Sequence, residues 1–156
     1  MPELQRPIEE RSSRRTGSSP VILLLSLSTL LGAVAYWRFT VSERFLTRSF
    51  VVLERRGRTL TVEKCVDEVL RWGTRCEAMK SLCDASVPRQ LEACLAGSDR
   101  SAYCRSIGQR YMATEFGVPE CRARGILHRG REKTNCALSY RAIAAYCARL
   151  AERRTP

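Results

Sequence analysis

The cysteines from Cys65 to Cys94 are separated by ten residues, then six, then ten, through Cys76 and Cys83. The run is therefore symmetric about the point between residues 79 and 80. On an α-helix eleven positions turn through about three turns and climb about 16 Å, so the two cysteines of each arm share one helix face. Folded back antiparallel, the arms bring Cys65 to face Cys94 and Cys76 to face Cys83. Helix axes lie about 8–10 Å apart, and small facing residues bring two Cα atoms to the roughly 5.5 Å that a disulfide wants. The spacing thus predicts a helical hairpin with two nested staples. Four cysteines nevertheless admit three pairings, and spacing alone does not choose among them.

The arrangement resembles the twin-cysteine hairpin of the coiled-coil-helix-coiled-coil-helix family, found mostly in the mitochondrial intermembrane space. It covers about thirty of 156 residues, and intervals of ten stand where that family usually has nine. What the resemblance implies is a shared way of building a hairpin.

The chain has eight cysteines, none in a Cys-x-x-Cys pair, and a single histidine, His128. Zinc sites usually draw on such close pairs, and redox enzymes want a closely spaced thiol of low pKa, so the sulfurs read as staples. No metal and no cofactor is expected. Disulfides require an oxidising compartment, which places the residues beyond about 60 outside the cytosol. The net charge is +11, and among the 27 basic residues only Lys64, Lys80 and Lys133 are lysines. A basic surface favours anionic headgroups or acidic proteins. The expected partners are the lipid bilayer and an acidic protein, with no specific nucleic acid.

Residues 1–19 mix charges of both signs with Ser, Gly and Pro, and read as a disordered tail. Residues 20–37 are uncharged and strongly apolar and end in Tyr36-Trp37 before Arg38, as in an interfacial belt. They read as a single-pass anchor. The competing reading is a signal peptide cleaved after Ala33-Val34-Ala35, with Ser26, Ser28 and Thr29 weakening the span. Arginines flank the segment on both sides, so positive charge does not orient it, and cysteine usage puts the C-terminal part in the periplasm or extracellular space.

Residues 38–60 form a juxtamembrane stalk. Phe39, Leu46, Phe50 and Leu53 make one apolar stripe if the helix continues outward. Alternatively, residues 50–62 flank Arg55-Arg56-Gly57-Arg58 as a small β-hairpin. Arg38, Arg44, Arg48, Arg55 and Arg56 are candidates for contact with the membrane surface, each contributing about 1 kcal/mol near anionic lipid.

Residues 61–156 read as a cysteine-rich helical domain, so the fold class is all-α: disulfide-stapled hairpins of four to five short helices after the membrane-entering one. Thr61 or Thr59 caps the first of these, with Val62, Cys65, Val69, Trp72 and Cys76 inward and Glu63, Asp67 and Glu68 on an ordinary exposed face. Residues 84–88 make the turn, with Ser86 as cap and Pro88 in the next first turn. Gly97 ends the second helix. A third carries Tyr103, Cys104, Ile107, Tyr111 and Met112 as core residues, Cys121 lies in an irregular segment, and Thr134 or Asn135 caps a last helix through Cys147. The simplest remaining partners are Cys121 with Cys136 and Cys104 with Cys147. Arg149, Arg153 and Arg154 suit the C-terminal dipole of that helix.

No nucleophile elbow, phosphate loop or zinc-protease motif occurs, and His128 reads as an exposed loop histidine. No catalytic residue is expected. The chain reads as a membrane-anchored, non-enzymatic interaction or assembly module exposed to an oxidising compartment. The alternatives are a secreted disulfide-rich effector or ligand, a thiol redox or metal-carrier protein, and an assembly factor on the mitochondrial inner membrane facing the intermembrane space.

Overall fold

The computed structural model describes residues 19–126 and 130–153. Among them every regular element is helical: α1 (Ser19–Gly57), α2 (Val62–Arg75), α3 (Lys80–Ala96), α4 (Ser101–Ile107), α5 (Val118–Ala123) and α6 (Arg131–Glu152), with a 3₁₀ turn over Gly108–Met112. The chain divides into two units at residues 37 and 38. The tail reading for residues 1–18, His128 and Arg154 fall outside the described residues.

In the first unit the apolar side chains from Val21 to Trp37 are exposed, and the apolar window has no share buried against protein. The helix is long and apolar enough to cross a bilayer. Two of its hydroxyls, expected to weaken a span, donate to their own helix: Ser26 to the Ile22 carbonyl at 2.9 Å and Thr29 to Leu25 at 2.8 Å. A hydroxyl satisfied this way costs little in hydrocarbon.

The second unit is built on α2, α3 and α6, whose inner faces supply Val66 and Val69, Val87 and Leu91, and Tyr140 and Ile143 as fully buried side chains. Four disulfides join Cys65 to Cys94, Cys76 to Cys83, Cys104 to Cys147 and Cys121 to Cys136, with Cα separations of 5.4 to 6.1 Å. Thr61 caps α2, its hydroxyl accepting from the Lys64 N–H at 3.3 Å.

Residues 50–62 are not a β-hairpin. α1 runs on to Gly57, because Leu46 and Leu53 of its stripe are buried and a strand would have turned alternate side chains away. Its end is sealed by Arg100, which is 7% exposed. Arg100 donates to the carbonyls of Gly57 (2.6 Å), Leu60 (2.8 Å) and Leu95 (3.3 Å). The C-termini of α1 and α3 thus point their orphan carbonyls at one guanidinium, whose charge suits both helix dipoles.

The turn of the first hairpin lies at 76–79, between Cys76 and Cys83, and not at 84–88. A bond between cysteines seven apart requires the chain to reverse between them. Ser86 is therefore buried mid-helix and Pro88 sits inside α3, where its missing N–H is outweighed by the burial of Val87 and Leu91 and by the staple at Cys94. Three further expectations change. The third helix stops at Ile107, since Gly108 adopts φ +53°, and Met112 is 66% exposed and not core. Cys121 lies in α5, started by left-handed Gly117 and by Pro119 in its first turn. The last helix begins at Arg131, one turn before Asn135, which is buried inside it.

Candidate functional site

Two polar assemblies stand out in the second unit. The first surrounds Glu63, in the first turn of α2. Tyr140 of α6 and Tyr103 of α4 donate their hydroxyls to its carboxylate at 2.6 and 3.0 Å, and Arg124, just after α5, donates at 2.6 Å. Arg124 also donates to Asp67 at 2.6 Å and to the Tyr140 hydroxyl at 2.7 Å. Phe116 meets the Tyr140 ring edge-on at 5.6 Å. Four helices are thereby tied at one carboxylate.

Burial by itself would raise the Glu63 carboxyl, but the hydrogen bonds from Tyr140, Arg124 and Tyr103 outweigh it and hold the group below its ordinary range. Burial and the neighbouring carboxylate push both tyrosines up. General acid–base work wants groups poised near the working pH, and all three are driven away from it. The arrangement suits a structural tie. It also corrects the reading of Glu63, Asp67 and Glu68 as an ordinary exposed face: Glu68 is held by Arg56 and, at 3.4 Å, by Arg71, with 15% of its side chain exposed.

The linkage has a definite sign. A carboxylate depressed in the folded state adds stability above its unfolded pKa near 4.5, and that share is lost as pH falls through the folded value. Glu63→Gln is therefore expected to melt below the parent at pH 7, with the gap narrowing by pH 3. Melting curves at the two pH values check this, and a gap that stays constant or widens in acid would contradict it.

The second assembly is a groove of about 370 Å³ between α1 and α2. On α1 it takes Phe45, Arg48, Val52 and Arg56, and on α2 it takes Glu68, Arg71, Trp72 and Arg75. Each set recurs at three- and four-residue steps, so each is one helix face, and the two faces look at each other. Four arginines meet one carboxylate. Glu68 is already shared by Arg56 and Arg71, while Arg48 and Arg75 have no ion-pair partner among the described residues. The Trp72 indole N–H is buried and likewise lacks an acceptor there.

Of the five arginines singled out in the sequence, the structure thus brings Arg48 and Arg56 into this groove, and leaves Arg38, Arg44 and Arg55 exposed on α1 outside it. Arg71 and Arg75 were missed, and Trp72 was read only as an inward residue of α2. The signal was present in the two matching helical spacings, yet only the packing of α1 on α2 shows that they face each other. A larger hollow, about 680 Å³, lies between α2 and the start of α6, but its arginines are spoken for: Arg71 by Glu68, Arg124 by Glu63 and Asp67, and Arg131 by Asp84. All eight cysteines are in disulfides, so none is a thiolate ligand or nucleophile in this state. Compared with protein-family models, curated proteins and solved structures, the chain finds no match in any of the three.

Proposed function

We propose that the chain is a membrane-anchored, non-enzymatic helical module, held in the periplasm or an equivalent oxidising space, that works by presenting a rigid basic surface to anionic or acidic partners. The observation that carries this reading is the pairing of an apolar helix left uncovered by protein with a C-terminal unit that commits every cysteine to a disulfide. The first needs lipid and the second needs an oxidant, and a single-pass protein with its C-terminal unit outside the cytosol satisfies both.

Retention of the anchor is favoured over cleavage after Ala35 because the apolar stretch ends in Tyr36-Trp37 before Arg38, as an interfacial belt does. The secreted effector is the second reading, and the two part at the N-terminus. The intact protein, taken from its native host without reductant, is expected to resist alkaline extraction from membranes and to weigh about eight hydrogens less than its reduced form, with residues 20–37 retained. A soluble species beginning at Tyr36 would replace the anchor by the secreted reading. Free thiols in that material would revive the redox or metal-carrier alternative.

A further inference from the structure

We propose that the groove between α1 and α2 binds the phosphate of an anionic lipid headgroup, with the guanidiniums of Arg48 and Arg75 as donors and the Trp72 ring as part of the lining. The inference rests on the reading that residues 20–37 remain in the bilayer. Three features select the ligand.

The first is an unmet demand for acceptors. Arg48 and Arg75 line the groove and have no ion-pair partner among the described residues. A phosphate offers several strong acceptor oxygens at once, in a geometry that the guanidinium fork matches. Glu68 does not compete for these donors, because Arg56 and Arg71 already hold it.

The second feature is shape. At about 370 Å³ the groove is near the lower end of small-ligand pockets, which run from about 300 to 1,000 Å³. That suits a compact headgroup better than a helix of a partner protein. Phe45, Val52 and the Trp72 ring line it beside the cations. A lipid presents the same pairing, with charge above and hydrocarbon below.

The third is tethering. Phe45 follows Trp37 by eight residues, and even a fully extended chain of that length reaches only about 28 Å. However the two units are arranged, the groove stays within that reach of the bilayer, where headgroups are at high effective concentration.

The test uses the full chain, labelled with nitrogen-15, in uncharged maltoside micelles, titrated with dihexanoylphosphatidylglycerol. The readout is the indole N–H resonance of Trp72, with that of Trp37 reporting general partition into the micelle. A saturable shift of Trp72 and none of Trp37 is expected. In Arg48→Gln/Arg75→Gln the half-saturating concentration should rise about 25-fold, at roughly fivefold per arginine. The charge-matched control Arg105→Gln/Arg141→Gln should stay within about twofold of the parent, since both residues lie outside the groove. The dispersion of the same spectra verifies that each variant is folded.

Absence of a saturable Trp72 shift would overturn the proposal. So would an equal shift with inorganic phosphate at the same concentration, which would make the groove a site for free anions, or a shift given only by a glutamate decapeptide, which would make it a protein-docking site. Micelles solubilise the apolar helix whether or not cells retain it. A failed titration therefore removes the groove ligand and leaves the anchor, whereas a mature N-terminus at Tyr36 removes the anchor and leaves the groove chemistry standing.

Discussion

The Cys65→Ser/Cys94→Ser protein is expected to melt roughly 14 °C below the parent without reductant. The bond closes a loop of thirty residues, and in the chain-entropy treatment releasing it gives the unfolded state about 3.6 kcal/mol. For a unit of this size 1 kcal/mol corresponds to about 4 °C. Both sulfurs are fully buried, between α2 and α3 and beneath Arg100, so serine would also place two hydroxyls in the core. Removing the Cys76–Cys83 bond instead frees a loop of only eight residues, worth about 2.5 kcal/mol, and Cys76 is only half-buried. The order of the two variants is thus as informative as either shift. Arg105→Ala, at an exposed position, serves as the baseline. If the Cys65/Cys94 variant melted within a few degrees of that baseline, the helices would be holding by packing alone and the staple would be dispensable.

What could be read from the chain followed the range of the interaction. The nested hairpin was legible because four cysteines at matched intervals encode both helical period and reversal, and the bonds between 65 and 94 and between 76 and 83 are the ones that symmetry suggested. Thr61 and Gly97 were legible as helix ends for the same local reason. Pro88 misled because a proline is a strong local signal for a turn, whereas the reversal is fixed by a covalent constraint between residues on either side of 79. Residues 50–62 were ambiguous because Val51, Val52 and Thr59 favour strand while Leu46 and Leu53 favour a helical stripe, and only the buried face of α1 resolves the conflict. The Glu63 tie was not legible at all: Tyr103, Arg124 and Tyr140 lie 40 to 77 residues away, and no spacing in the sequence brings them together. The groove falls between these cases. Each of its faces is written in one helix, and their apposition is tertiary.

The second large effect concerns a glycine whose role is invisible to helix propensity. Gly57→Ala at the end of α1 would ordinarily be neutral or mildly stabilising, since alanine exceeds glycine by about 1 kcal/mol as a helix former and Gly57 does not have a positive φ. Here the opposite sign is expected. A Cβ on Gly57 would lie 1.9 Å from the Cys94 carbonyl oxygen and 2.7 Å from its carbon, and both are backbone atoms that no rotamer change can move. α1 and α3 would have to separate, which pulls Cys94 away from Cys65 and lifts the Gly57 and Leu95 carbonyls off Arg100. The strain is shared by one covalent bond and a buried charge, so it has few cheap outlets. A loss of about 3 kcal/mol follows, or roughly 12 °C in melting temperature. Gly32→Ala is the internal reference, because a Cβ there meets nothing within 4 Å. Thermal melts of the two variants, in the same micelles, decide the matter. Equal melting temperatures would mean that the backbones of α1 and α3 do not touch at this point, and that the second half of α1 is not part of the stapled core.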